Sequence, residues 1–451
     1  MKKYFGTDGI RGRANTSPLT VNFVLKLGQA TAKVFRNGDK KHSIVIGKDT
    51  RISGYIYENA IVAGICSMGI NAILVGVLPT PAIAYLTKSL RADAGVVISA
   101  SHNPYYDNGI KFFSGEGFKL SDSLEERIEE YLTNTLEVDA KNLGKAYRIE
   151  TAIWRYVEYT KTTFDKDISL KGLKIVVDCA NGATYKVAPL TLVELGADVI
   201  VINNKPDGYN INLNCGSTSP EVVAKKVVEE RAHLGITFDG DGDRVIFVDE
   251  NGDVVDGDVI MGICAIYMKN NNILNKPAVV TTVLSNIGLT LSLRKYGIEV
   301  FNCPVGDRYV VETMLKENIR LGGEQSGHIV FLDYNSTGDG LISALQLLKI
   351  IIKAGKPLSE IKKSIQLLPQ VQKNLKVQSK ISLDKLRNTN KLLRAIEGKL
   401  KDEGRVLLRY SGTESTLRIM LEGNNRDAIN ELAAHLVDVA KNEIDQLLER
   451  I

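Results

Sequence analysis

The chain has 451 residues, 44% hydrophobic and 24% charged, with 57 basic against 53 acidic side chains and a formal net charge of +4. That length exceeds what one hydrophobic core normally organises and predicts several domains, while the ordinary composition excludes a disordered chain. Scattered, nearly balanced charge offers no nucleic-acid surface, and with no apolar run of about 18 residues no membrane span is expected.

The opening MKKYFGTDGIRG turns polar and glycine-rich after Phe5, without the apolar core of a signal peptide. Five cysteines (Cys66, Cys179, Cys215, Cys264 and Cys303) are widely separated and form no CxxC pair. Reduced thiols in a cytoplasmic protein are the expectation.

Three strand-like segments then recur three times in the same order. The first of each set is SIVIG (43 to 47), KIVVD (174 to 178) and AVVTT (278 to 282); the second is INAILVG, ADVIVI and IEVFN. A helix-length stretch separates first from second each time, the rhythm of βαβ units. The third segments are AGVVIS running into ASHNP, LGITF into DGDGDR, and IRLGG into EQSGH. Each is followed by a strand and turn that read as an antiparallel addition to the sheet. The fold expected is α/β: three similar mixed-sheet domains in tandem plus a C-terminal α+β domain, with the active site in the central cleft. Domain edges fall near 150, 255 and 370, giving 1–150, 151–255, 256–370 and 371–451. The last begins with the polar, lysine-rich LPQVQKNLKVQSK and contains RVLLRYSGTESTLRIMLEG and a final amphipathic helix. In such sheets ligands sit beyond the carboxyl ends of the strands, so the three equivalent loops are expected to be site loops.

The chemistry of those loops points to phosphate. Ser101 offers a hydroxyl nucleophile, and a serine oxygen can carry a phosphoryl group where a hard cation neutralises it. Asp239, Asp241 and Asp243 alternate with Gly240 and Gly242, so in extended backbone three carboxylates converge on one side. An EF-hand would have Asp at loop positions 1, 3 and 5 and Glu250 at 12, but Arg244 stands where the turn glycine belongs and the flanks are β-branched runs. A solvated acidic turn is the plainer alternative. His102 fits a base, a phosphate ligand or a turn residue, and Lys111 fits a site lysine or an exposed strand lysine. GGEQSGH suits sugar hydroxyls, although Glu324 reads equally as a surface residue and His328 as a structural histidine. In RYSGTE the hydroxyls of Ser411 and Thr413, backbone N–H groups around Gly412, and Arg409 with Arg418 on the next strand make an anion cradle; a plain hairpin turn is the rival reading.

Together, ISASHNP, DGDGDR, GGEQSGH and RYSGTE resemble the four active-site loops of the α-D-phosphohexomutase superfamily, and the similarity covers the whole chain. FGTDGIRG, GKDTRISG, PTPAIAYLT and PVGDRYV resemble most closely the bacterial branch that acts on glucosamine phosphates. The resemblance implies an isomerase that interconverts glucosamine 6-phosphate and glucosamine 1-phosphate through a phosphoserine and a 1,6-bisphosphate, supplying UDP-N-acetylglucosamine and cell-wall synthesis. It further implies that Ser101 is the phosphoserine, with one Mg²⁺ held by its phosphate, Asp239, Asp241 and Asp243. Glu324 and Ser326 would bind sugar hydroxyls. Arg409, Ser411, Gly412, Thr413 and Arg418 would bind the non-reacting phosphate, and Arg11, His102, Lys111 and Arg244 would line the transfer site. The implied partners are a phosphosugar and its bisphosphate, and a homodimer is compatible with the resemblance. Ser415 departs from it, standing where the family often has proline. A sister mutase for glucose or mannose phosphates would share these residues, whereas a metal-dependent phosphatase or a cation binder would need the Asp cluster alone.

Overall fold

The computed structural model describes residues 2–38, 41–134, 136, 140–411 and 415–448. Four sheets follow one another along the described residues. The first contains β1 (Ile10–Arg13), β2 (Ser43–Lys48), β3 (Asn71–Val77), β4 (Ala94–Ile98), β5 (Asp107–Ser114) and β6 (Ala146–Arg148). The second has β7 (Lys174–Asp178), β8 (Asp198–Ile202), β9 (Leu234–Phe238), β10 (Val245–Asp249) and β11 (Val254–Val255). The third has β12 (Ala278–Thr282), β13 (Glu299–Cys303), β14 (Leu321–Gly323) and β15 (Ile329–Phe331), and the fourth β16 (Gln370–Lys376), β17 (Gly404–Tyr410) and β18 (Thr416–Gly423).

The threefold sequence repeat is a threefold repeat of topology. Spatial order is β5-β4-β2-β3, β10-β9-β7-β8 and β15-β14-β12-β13. In each, the first strand pairs in parallel with the second and the third, and the strand after the site loop returns antiparallel. Helices Ser53–Ser67, Val187–Glu194 and Ile287–Lys295 make the first crossover of each repeat. The strands are runs of Val, Ile and Phe because both faces are covered; Ile44, Ile46, Val96, Ile98 and Ile110 are fully buried in the first sheet against Val24, Leu27 and Ile61.

The chain forms two compact units. One comprises Met1–Leu284 and Tyr296–Ser364, and the other Ser285–Lys295 and Ile365–Ile451. In the second unit β18 is the central strand, antiparallel to β16 and β17, and helices Arg387–Leu400 and Arg426–Leu448 bury Ile396, Ile429, Ala433 and Leu436 with Val406, Ile419 and Leu421. The polar QVQKNLK, which reads as the entry to this domain, is the edge strand β16. Its alternating half-buried and exposed residues leave little apolar signal.

Candidate active site

Three loops of the larger unit leave equivalent strand ends. Ser101 lies just past β4, Asp239 directly follows β9, and Glu324 directly follows β14. Ser101 and the Asp cluster meet: the Ser101 hydroxyl donates to Asp239 Oδ2 at 2.6 Å, and both residues are buried. A Cβ on Gly240 would stand 2.5 Å from the Ser101 carbonyl oxygen, so only glycine lets the two loops touch. Ser101 itself has φ +52°, a left-handed conformation rare for a residue with a side chain.

The three carboxylates lie within 4.8 Å of one another and are all buried. Asp241 Oδ2 accepts from Thr80 Oγ1 at 2.6 Å and Lys111 Nζ at 2.8 Å, yet its Oδ1 and Asp243 Oδ1 have no hydrogen-bond donor although buried. Buried carboxylate oxygens without donors are costly unless a cation takes them. Burial, then the neighbouring Asp243 and Asp241, push the Asp239 carboxyl well above the usual range. Asp243 goes the other way; burial would raise it, but Lys111 and His328 hold it low. A hard divalent cation with oxygen ligands such as Mg²⁺ fits this donor set. The EF-hand reading fails here, since β9 and β10 flank the loop and Glu250, its required twelfth ligand, accepts instead from the Ser359 backbone N–H at 3.3 Å.

Cations surround the cluster. Lys111 on β5 is 2% exposed, which removes the reading as a surface lysine; its ammonium lies 3.1 Å from Asp8 and 3.6 Å from Asp243. Burial alone would lower its pKa, but Asp241 and Asp8 raise it well above the ordinary lysine value. Arg11 pairs with Asp8, and the Arg244 backbone N–H donates to Asp239 Oδ1 at 3.2 Å. His102 Nδ1 lies 3.4 Å from Ser101 Oγ. Burial and the charges of Arg244 and Arg11 bring its pKa down to about 4, leaving a neutral imidazole at physiological pH.

A cavity of about 380 Å³ adjoins the cluster, walled by Asp8, Arg11, Asp243, Arg244, Glu324 and His328 among others. Glu324 Oε1 accepts from the Gly306 N–H at 3.1 Å and Oε2 from Ser326 Oγ at 3.4 Å. His328 is buried with Nδ1 3.6 Å from Asp243 Oδ2, while its Nε2 accepts from the Gly338 N–H at 3.1 Å, which fixes the proton on Nδ1 in the neutral ring.

In the smaller unit, Arg409 and Arg418 stand directly opposite each other on β17 and β18. Burial and then the Arg418 charge lower the Arg409 pKa. Like charges across a strand pair repel, and an anion between them relieves this. Ser411 is buried, with its carbonyl accepting from Lys380 Nζ at 2.7 Å; Gly412 and Thr413 lie outside the described residues. Ser415 is exposed, and its carbonyl accepts from the Val377 N–H at 2.9 Å.

Reasoning from sequence did not single out Arg51, Asp8, Thr80, Asp307, Lys119 or Asn212. The first four sit inside the motifs GKDTRISG, FGTDGIRG, PTPAIAYLT and PVGDRYV, where a charged or hydroxyl residue between glycines or prolines was the available signal. Lys119, which bridges Asp8 and Asp307, and Asn212 carry no comparable mark.

Repeated α/β sheets whose equivalent strand ends gather a hydroxyl, a buried tricarboxylate cluster and a ring of cations define an enzyme class that works on phosphoryl groups. Residues 2–139, 154–252 and 256–367 match the descriptions "Phosphoglucomutase/phosphomannomutase, alpha/beta/alpha domain I", "domain II" and "domain III", and residues 362–439 match the C-terminal domain of the same family. A phosphoglucosamine mutase of Geobacter metallireducens is 55% identical over 448 residues, 98% of this chain and 99% of that protein. A phosphoglucomutase/phosphomannomutase family protein of Burkholderia thailandensis shares the fold, with a TM-score of 0.79 at 23% identity over 97% of each chain. So does the Aspergillus fumigatus N-acetylphosphoglucosamine mutase solved with GlcNAc-6P and magnesium, with a TM-score of 0.68 at 16% identity over 98% of this chain and 96% of that one. The chain belongs to the phosphoglucomutase/phosphomannomutase family of isomerases, and within it stands with the phosphoglucosamine mutases. Among the described residues no helix is long and apolar enough to cross a membrane.

Proposed function

We propose that the chain interconverts glucosamine 6-phosphate and glucosamine 1-phosphate, with Ser101 carrying the phosphoryl group between them. In the first half-reaction the Oγ–P bond of phospho-Ser101 breaks as a bond forms from phosphorus to the sugar C1 oxygen. The sugar hydroxyl proton passes to a neutral base of the site, for which the His102 imidazole qualifies by charge, and the departing Ser101 oxygen takes up a proton. The second half-reaction reverses these movements, the Ser101 hydroxyl losing its proton and the C6 oxygen gaining one. The resulting 1,6-bisphosphate turns round, and its 6-phosphoryl group returns to Ser101, leaving glucosamine 1-phosphate. Arg11, Lys111 and Arg244 supply positive charge to the moving group. Glu324 and Ser326 orient the sugar hydroxyls, and Arg409, Ser411, Gly412, Thr413 and Arg418 bind the phosphate that is not reacting. Asp239, Asp241 and Asp243 with a phosphoserine oxygen would hold Mg²⁺, which when bound neutralises charge on the transferring phosphoryl group. We also take the four domains to meet near residues 150, 255 and 370.

The observation that most supports this reading is the Ser101 hydroxyl 2.6 Å from Asp239 Oδ2, inside a buried cluster with donorless carboxylate oxygens. Ser101→Ala should abolish interconversion while leaving the circular dichroism spectrum unchanged; full activity in that variant would overturn the proposal. Relative kcat/KM on glucosamine, glucose and mannose phosphates distinguishes the sister mutases, and glucosamine phosphate is expected to rank first.

A further inference from the structure

We infer that Arg51 and Asn212 form a carbonyl clamp that holds the Ser101 loop in its reactive shape and thereby directs the phosphoryl group to sugar rather than to water. The inference rests on the reading of Ser101 as phosphoryl carrier.

Two carbonyls of the loop each receive one donor from both side chains. The Ser101 oxygen accepts from Arg51 Nη2 at 2.9 Å and Asn212 Nδ2 at 2.9 Å. The Asn103 oxygen accepts from the same two nitrogens at 2.8 Å and 3.0 Å. Arg51 Nη1 reaches further round the loop, to the carbonyls of Pro104 and Asp107. Its Nε is held 2.8 Å from Asp49 Oδ2. The same Asp49 oxygen accepts from Ser99 Oγ at 2.6 Å, and Ser99 Oγ accepts the Ser101 N–H at 2.9 Å.

The peptide groups on both sides of Ser101 are therefore fixed. A serine at φ +52° stands in the sparsely used left-handed region and persists where its surroundings over-determine it. Arg51 is 0% exposed, so water cannot replace its bonds, and its planar fork supplies several donors at fixed angles where lysine would supply one point charge. Asn212 comes from a different repeat and ties the serine loop to the domain that carries Asp239.

The consequence is chemical. When the Oγ–P bond breaks, phosphorus bonds either to a sugar oxygen or to a water oxygen, and the acceptor loses a proton in both cases. Which acceptor wins depends on where the serine oxygen is aimed, and a displacement of about 1 Å costs roughly 10²-fold in rate. The clamp residues are positioning residues, since neither touches the transferring group.

The test uses the full-length enzyme with Asn212→Gly, which removes the amide yet accepts the φ of +58° at that position, and Arg51→Lys as a second variant. Expected for Asn212→Gly are a fall in kcat of roughly tenfold or more, a KM for glucosamine 6-phosphate within about twofold of wild type, and a rise in inorganic phosphate released per turnover. Wild-type kcat and phosphate release would overturn the clamp, as would a fall in kcat explained entirely by loss of folded protein with an unchanged partition between sugar and water. If Arg51→Lys fails to fold, Asn212→Gly decides alone. Ser101→Ala separates the two levels. An active Ser101→Ala enzyme defeats the carrier reading itself, whereas an inactive one beside a wild-type-like Asn212→Gly defeats only the clamp.

Discussion

The proposed cation site would rest on three carboxylates that are unfavourable together without a positive partner. Lys111 neutralises only part of the charge of Asp239, Asp241 and Asp243, and two buried oxygens are left without donors. A ligand that binds only the folded state stabilises it in proportion to its affinity, so millimolar Mg²⁺ should raise the Tm of the wild-type protein. Asp239→Asn removes one negative charge from the cluster and should abolish that increase while leaving the metal-free protein as stable as wild type or more so. Differential scanning fluorimetry with and without Mg²⁺ checks this; an equal increase in the variant would show that Asp239 is not a ligand. At this scale the sequence reveals what composition and spacing mark: a serine in ASHNP and aspartates at every second position. Lys119 and Asn212 were not legible because their importance lies in partners far along the chain, Asp8 and Asp307 for the one and the Ser101 carbonyl for the other.

The repeated βαβ element explains why such distant residues meet. Because the third strand of each repeat occupies the same place in its sheet, the loops after β4 and β9 become neighbours once the domains pack. Their contact narrows to the width of a glycine. In Gly240→Ala the new methyl would lie 2.5 Å from the Ser101 oxygen and 2.7 Å from Asn212 Nδ2, so the loops must separate by several tenths of an ångström. Overpacking of this kind costs about 1–3 kcal/mol, and the displaced serine should lose roughly tenfold or more in kcat; urea melts and initial rates measure the two effects. The recurring strands were readable because buried strands leave contiguous β-branched runs. Strand β16 was not, since an edge strand in a small sheet buries only alternate side chains, and QVQKNLK has few apolar residues to show it.

For the whole molecule, sequence order and structural grouping part company at one helix. Ile287–Lys295 forms the first crossover of the third repeat, yet it groups with the C-terminal unit. Glu422, fully buried on β18, accepts the Ile287 N–H at 3.0 Å, Arg405 Nη2 at 2.8 Å and Gln370 Nε2 at 2.9 Å. Asn286 adds a two-way bond to the Leu368 backbone, its Nδ2 donating to the carbonyl and its Oδ1 accepting the N–H, each at 2.9 Å. One carboxylate thus holds the start of a helix, an arginine and an edge strand of the smaller unit together, and truncating it leaves the Arg405 charge without that counter-ion. Glu422→Ala should destabilise the unit by about 3 kcal/mol, the usual cost of breaking a buried ion pair by removing one partner. Amide hydrogen exchange gives the decisive readout: protection of 287–295 should fall together with that of β16 to β18, while β4 and β9 keep theirs. If 287–295 instead exchanged independently of β16 to β18, with its protection unchanged in Glu422→Ala, the helix would draw its stability from elsewhere, and the division of the chain into these two units would not describe how it unfolds.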